Sequence, residues 1–322
     1  FTRNFNTFNS SLISSSSSNP RKLWNTIIKL LYHKSPIRLP PNIDYKSLPH
    51  IFARPTFFSD KVLKLHAGLK SQSIHTSPHT MPNQVPSNLT FFSPVTREEV
   101  SKLISQSSNT FCDLDPIPTS ILKQCVPKLL STITNIINLS LYTGVFPNQF
   151  KISSVIPLLK KYNHDKENLS CYRPISQLSF LSKLTERVVK QRLTHHLLSN
   201  GLLNSFQSAY TKHPSTESTL LAVHDRLIKA MGQQKVTALC LLDLSAAFDT
   251  IDHTILIHRL SSWFGLNGTV LSWLESYLSF RNFVVNVEAS QSASIPLQQL
   301  GVRYSRVCPG SSSILHIKFR VK

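Results

Sequence analysis

An α+β fold is predicted by three features of the sequence. The run "VTALCLLDL" (236–244) is continuously apolar, starts with a β-branched pair and has the length of a strand buried on both faces. A second strand-like run, "NFVVNVE" (282–288), follows two segments with apolar residues at helical spacing, at 253–264 and 269–279. Strand, helices, strand is the order of an α+β domain, and it sets Asp243 at the mouth of the central strand.

The elements follow in chain order. Residues 1–20 are rich in Ser and Asn and read as a disordered tail. Residues 21–93 read as a basic, largely flexible linker with short helices. One is the amphipathic "RKLWNTIIKLLYHK" (21–34), and another is "FFSDKVLKLHAGL" in a stretch dominated by Pro, Ser, Thr and His. Residues 94–150 read as a helical extension. Thr96 caps the first helix with Glu99 three residues on, and "DLDPIPTSILKQCVPKLLSTITNIINLSLYTGVFP" reads as two apolar helices that turn at Gly144 and Pro147.

"KISSVIPLLKK" (151–161) reads as a strand ending in Lys160 and Lys161, followed by a polar loop that closes on "CYRPIS". The next helix carries Leu181, Leu184, Val188, Leu193 and Leu197 on one face, with Lys183, Arg187, Lys190 and Arg192 on a basic outer face, and Asn200-Gly201 stops it. His195 and His196 read as phosphate-facing or solvated. A further helix runs from Ser215 to Met231. Asp249 and Asp252 suit the cap of the helix that starts at His253.

Thirty-five Lys and Arg against 16 Asp and Glu give a formal charge of +19, which points to a polyanion, nucleic acid first and an anionic membrane second. A solvated basic surface explains the same number. No run is long and apolar enough to span a membrane, so no membrane partner is expected. The five cysteines stand singly, which indicates neither a disulfide framework nor a zinc site and suggests reduced thiols inside a cell. His75 and His79 are separated by Pro78, which keeps them off one helical face. The start at Phe1 suggests a fragment or a conceptual translation.

A carboxylate closing a buried strand is costly unless it is hydrogen-bonded, paired or metal-bound. In a basic protein, Asp243 suits a Mg²⁺ ligand for phosphoryl or nucleotidyl transfer, while a helix-capping role fits the isolated motif equally well.

The wider context is more specific. "LLDLSAAFDTIDH" resembles motif A of reverse transcriptases of non-LTR, LINE-type retrotransposons. "IPLLKKYNHDKENLSCYRPISQLSFLSKLTERVVKQRL" and "LLNSFQSAYTKHPSTESTLLAVHDRL" resemble the fingers segments of that family. "DLDPIPTSILKQC" and "RLSSWFGLNGTVLSWLESYLSFR" are similar to flanking segments, and together these cover roughly residues 95–300 in one colinear order.

The resemblance implies a partial right-hand polymerase, with fingers and an incomplete palm over 151–300. It implies RNA-directed DNA polymerisation, with an RNA template, a DNA primer, dNTPs and Mg²⁺. Asp243 would then be the first catalytic metal ligand, and Leu244 would offer its backbone carbonyl to the second metal. Phe248 would be the ring that excludes a 2′-hydroxyl, although ordinary core packing also accounts for it. Lys160, Lys161 and Arg173 would contact the triphosphate; a solvated lysine pair and a loop-anchoring arginine are the plain alternatives. Gln207 and Lys212 would sit near template or phosphate, alongside Lys183, Arg187, Lys190 and Arg192 as nucleic-acid contacts. A nuclear or cytoplasmic ribonucleoprotein is the location the family implies.

The sequence also departs from the family. Two-metal chemistry needs carboxylates from more than one strand, and the family supplies the others from a Tyr-x-Asp-Asp hairpin. This chain has no Asp-Asp, and its last acidic residue is Glu288. Where the family has a Gly-Val-Pro-Gln-Gly-Ser-type loop, residues 301–317 read "GVRYSRVCPGSSSILHI". Arg306–Ile317 can be back-translated so that the next frame gives Gly-Ser-Val-Leu-Gly-Pro-Leu-Leu-Phe-Tyr-Ile. That places an expected frameshift between Gly301 and Arg306, makes 301–322 an aberrant terminus, and predicts an inactive polymerase. Smaller departures are Tyr210-Thr211 in place of aromatic-Arg, and Pro214 where the family often has His. The competing expectation is a non-catalytic, basic nucleic-acid-binding remnant.

Overall fold

The computed structural model describes residues 47–53, 88–109, 112–161, 164–203, 215–241, 251–287 and 290–296. They fall into two compact units, Leu158–Arg173 in one and the remainder in the other.

In the larger unit, helix α1 (Leu48–Ala53) buries Leu48 and Phe52 completely and packs on strands β3 (Asn282–Val287) and β4 (Ser290–Gln291). The span read as a largely flexible linker therefore contains a docked helix, and its last residues are docked too. Leu89 pairs with Leu266, Asn267 N–H donates to the Leu89 carbonyl (3.0 Å), and Thr269 Oγ1 donates to the Thr90 carbonyl (3.0 Å). A side chain at Gly268 would meet that Thr90 carbonyl oxygen at 2.7 Å with φ at +55°, so only glycine suits this crossing. The proposed helix 21–34 lies outside the described residues, as do the helix around 57–69 and His75 and His79.

Helix α2 (Arg97–Ser105) starts where its cap predicts, with Thr96 Oγ1 accepting from Glu99 N–H at 3.2 Å. Helix α3 (Thr119–Thr143) corrects the sequence reading, because one helix of 25 residues passes through Pro127 where two were expected. A proline inside a helix costs about 3 kcal/mol. The apolar stripe stays in register across it, from Leu122, Val126, Leu129 and Leu130 to Ile133, Ile137 and Leu141, and that packing outweighs the lost hydrogen bond. Gly144 ends the helix in the left-handed conformation (φ 68°), as expected. Asn138 grips the strap before α2 by accepting from Val95 N–H (2.8 Å) and donating to the Val95 carbonyl (3.1 Å).

Strand β1 (Ile152–Leu159) and strand β2 (Tyr172–Leu178) flank the smaller unit, and β2 was read as the end of a loop. The sheet order is β2-β1-β3-β4, with β5 (Ile295–Pro296) also on β3. β1 and β3 run parallel, with Ile152 opposite Asn282 and Val155 opposite Val285. The connection between them holds helices α4 (Phe180–Ser199), α5 (Thr216–Gly232), α6 (His253–Phe264) and α7 (Gly268–Leu278).

Asp252 caps α6 by accepting from Thr254 N–H (2.8 Å) and Ile255 N–H (3.1 Å), and Gly265 ends it at φ 67°. The core lies between α2, α3, α4, α6 and α7. It centres on Trp273, which is stacked on Tyr277 (5.4 Å) and meets Phe92 and Phe146 edge-on.

The buried central strand expected at 236–244 is not present in its described part. Residues 236–241 form no strand, and Val236, Leu239 and Leu241 are exposed. An apolar run becomes a buried strand only with hydrogen-bonding neighbours on both sides. Among the described residues the parallel neighbour of β1 is β3, and no strand flanks 236–241.

Candidate nucleotide and nucleic-acid site

The cations assigned to the triphosphate lie in or beside the smaller unit's hairpin. Lys160 and Lys161 follow the last residue of β1, both exposed, and Arg173 is the second residue of β2. Lys160 N–H donates to the Cys171 carbonyl at 2.8 Å, which places this backbone pair two residues from Arg173. The turn between them is held by its own polar groups. Tyr172 donates its hydroxyl to the Lys166 carbonyl (3.0 Å), Glu167 N–H donates to Asp165 (2.9 Å), and His164 Nδ1 lies 3.3 Å from Cys171 Sγ. Burial pushes the Tyr172 phenol up, helped by Asp165 and Cys171, so it stays a donor near neutral pH. The half-buried Arg173 guanidinium makes no hydrogen bond or ion pair to any described residue. Three cations thus stand at the ends of paired strands β1 and β2.

The basic face of α4 is arranged differently from the sequence reading. Lys183, Arg187, Lys190 and Arg192 are half-buried rather than outside. Arg192 makes a two-pronged ion pair with Glu99 (2.6 and 2.7 Å) and donates to the Ser93 and Pro94 carbonyls (both 3.3 Å). Arg187 donates to Ser107 Oγ at 2.7 Å. Burial lowers the pKa of both Arg187 and Lys190, and in Lys190 the charge of Arg187 adds to the effect. Arg187 and Arg192 therefore tie α4 to the strap and α2. As groups already engaged inside the fold, they are poor candidates for phosphate contact.

His196 is also corrected. Its Nε2 lies 2.8 Å from the Phe264 carbonyl, which it serves as donor, and its Nδ1 lies 3.3 Å from Asn200 Nδ2. This ring is buried and structural, whereas His195 is exposed beside a groove of about 360 Å³ lined by Phe91, Ser199 and Asn200 among others.

Two acidic residues escaped the sequence reading. Both carboxylate oxygens of Asp115 accept from Phe180 N–H, at 2.9 and 3.0 Å, at the start of α4. Burial raises the Asp115 pKa against the lowering effects of that hydrogen bond and of Lys183. Asp113 Oδ2 accepts from Asn286 Nδ2 (2.9 Å) on β3, and the same amide donates to Ser154 Oγ (2.7 Å) on β1. The only hint in the sequence was the pair of aspartates in "DLDP" (113–116), a few residues before α3 opens at Thr119.

Asp243, Leu244, Phe248, Gln207 and Lys212 lie outside the described residues. Among the described residues no three His, Cys, Asp or Glu side chains converge as a metal site, so no catalytic step is derived through a metal.

Comparison with known proteins assigns the hairpin and the elements after it together. A family model described as reverse transcriptase (RNA-dependent DNA polymerase) matches residues 160–303. Over this stretch the chain is similar to that family. The relatives it matches are polymerases of transposons and mobile elements. A probable RNA-directed DNA polymerase from transposon BS of Drosophila melanogaster is 28% identical over 179 residues, which is 56% of this chain and 19% of the relative. The RNA-directed DNA polymerase from mobile element jockey of Drosophila funebris is 26% identical over 210 residues, 65% of this chain and 22% of the relative. A probable RNA-directed DNA polymerase from transposon X-element of Drosophila melanogaster is 27% identical over 209 residues, 63% and 22%.

The chain spans roughly a fifth of the length of these relatives. The matched stretch opens at Lys160, the first cation of the hairpin, and runs past β3. Its architecture is mixed α and β, with one sheet and several helices.

Proposed function

We propose that residues 151–300 are the fingers and part of the palm of a reverse transcriptase, and that the hairpin of Lys160, Lys161 and Arg173 takes the triphosphate of an incoming dNTP. The placement of three cations at the paired ends of β1 and β2, where the family match begins, carries this reading, because a triphosphate is the multiply charged group that such an end suits. Residues 94–150 serve as a helical extension braced on α4. Asp243 and the Leu244 carbonyl are the residues this reading assigns to Mg²⁺, and Phe248 the sugar gate. RNA template and DNA primer are the partners.

The reading is tested by nucleotide affinity. Arg173→Ala and the pair Lys160→Ala with Lys161→Ala are each expected to weaken dNTP binding about 10-fold or more, since a hydrogen bond to a charged group contributes about 1.5–3 kcal/mol. Titration of a fluorescent dNTP would measure this. Unchanged dissociation constants in both variants would remove the hairpin from the site.

A second reading, a non-catalytic nucleic-acid binder, is favoured by the charge of +19. It predicts RNA affinity that falls steeply with salt and survives Asp243→Asn. A flat salt dependence of RNA binding would exclude it.

A further inference from the structure

The strap from Leu89 to Val95 is held at nearly every residue. Leu89 pairs with Leu266, and the Thr90 carbonyl accepts from Thr269 Oγ1. Phe92 is buried edge-on to Trp273, the Ser93 and Pro94 carbonyls accept from Arg192, and Asn138 grips Val95. Phe91 is the exception. Its ring is 70% exposed although the backbone on both sides is tied down, so a loose strap does not account for it. A single exposed apolar side chain is ordinary on a protein surface, and Phe91 acquires meaning only from what lies beside it.

The ring lines the groove of about 360 Å³ between the strap and the C-terminal turns of α4. From α4 comes the exposed imidazole of His195, which makes no hydrogen bond or ion pair to any described residue. Thr90, Ser93 and Ser199, all exposed, add hydroxyls to the lining. Size narrows the occupant: the groove lies at the lower end of the roughly 300–1,000 Å³ of small-ligand pockets, and a helix of about 10–12 Å diameter does not fit it. Charge narrows it further. Among the described residues no Asp or Glu lines the groove, in a chain whose formal charge is +19. Arg192 is already neutralised by Glu99, so the groove offers ring faces and hydroxyls rather than a phosphate clamp.

We propose that this groove takes one unpaired base of a single-stranded nucleic acid, stacked on Phe91, with His195 and the hydroxyls of Thr90, Ser93 and Ser199 around it. Every base has a π-face, so such a stack accepts any of them, while the phosphates of the strand answer to the overall charge of the protein. The site rests on the nucleic-acid partner common to both readings above, and it shares no residue with the hairpin of Lys160, Lys161 and Arg173.

The test is fluorescence-anisotropy titration of the full chain with labelled oligouridylate, oligothymidylate and an abasic strand of the same length, which carries the phosphates without the bases. Phe91→Ala is expected to weaken binding of a base-bearing strand about 10-fold, with the abasic strand and the slope against salt unchanged, and Phe91→Trp to restore the affinity. His195→Ala is expected to act in the same direction by a few-fold. The probe with the larger loss identifies RNA or DNA as the source of the base. Because Phe91 is exposed, the alanine variant is expected to unfold in urea at the parent's midpoint, which separates lost stacking from lost fold. Equal weakening of base-bearing and abasic strands by Phe91→Ala, or no weakening, would overturn the proposal. So would self-association of the parent chain in sedimentation that Phe91→Ala abolishes while strand affinities stay unchanged, since the groove would then belong to a second copy. A parent chain that binds no probe at low salt overturns the nucleic-acid partner and the groove together, whereas one that binds base-bearing and abasic strands equally overturns the groove alone.

Discussion

Trp273→Ala is expected to lower the stability of the helical core by about 4 kcal/mol, among the largest effects of any single truncation in this chain. The indole is completely buried where three layers meet. It lies in a 5.4 Å stack on Tyr277 within α7, edge-on to Phe146 (5.2 Å) after α3, and edge-on to Phe92 (6.0 Å) in the strap. Its Nε1–H donates to Ser140 Oγ at 2.9 Å, and that hydroxyl in turn donates to the Val145 carbonyl at 2.7 Å beside the Gly144 turn. Truncation removes the aromatic contacts and opens a cavity that rigid helices on three sides close only in part. Trp273→Phe keeps most of the packing and loses the hydrogen bond, so a cost of about 1–2 kcal/mol is expected. Urea unfolding followed by far-UV circular dichroism measures both. A loss below about 1 kcal/mol for the alanine variant would show that this cluster is not the centre of the core.

The elements legible in the sequence were those whose ends and faces are set locally. α2 has its Thr96 cap, α6 has Asp252 before it and Gly265 after it, and α4 has a stripe of leucines that reads the same in isolation as in the fold. The elements missed depend on distant partners. β2 carries Arg173 and Pro174 and lacks a clean alternation. It is a strand because it stands at the end of the order β2-β1-β3-β4, where a proline's missing donor is least costly. α1 is only six residues long and is held by β3 and β4, more than 200 positions along the chain. α3 runs on through Pro127 because the stripe on either side of it has α2, α4 and α7 to pack against.

For the site, sequence pattern identified the cations but not their engagement. The apolar stripe of α4 shows which side faces the core, and the opposite side then looks free. Whether it is free depends on what else lands there. The strap at 93–94 and Glu99 arrive from more than 90 positions away to occupy Arg192, and Ser107 occupies Arg187. By contrast, Lys160, Lys161 and Arg173 lie close together along the chain, although the pairing of β2 with β1 that joins them was not read from it.

For the 322-residue chain itself, no primer extension is expected on a primed RNA template with Mg²⁺ and dNTPs. Two-metal transfer needs carboxylates from more than one strand holding the ions about 3.5–4 Å apart. Asp243 is one such group by resemblance, the sequence contains no Asp-Asp pair, and no acidic residue follows Glu288. The approach to Asp243 points the same way, because residues 236–241 are exposed and unpaired with any strand among the described residues. The decisive comparison is a chain in which the frame after Gly301 is shifted to restore the Gly-Ser-Val-Leu-Gly reading and whatever hairpin follows it. Extension is expected to rise from background in that chain and to return to background with Asp243→Asn. Extension by the unshifted chain that Asp243→Asn abolishes would show that it assembles its metal ligands from elsewhere. A shifted chain that binds dNTP through Lys160, Lys161 and Arg173 yet never extends a primer would leave the hairpin standing as a nucleotide site, and would locate the defect in the palm rather than in the reading of the frame alone.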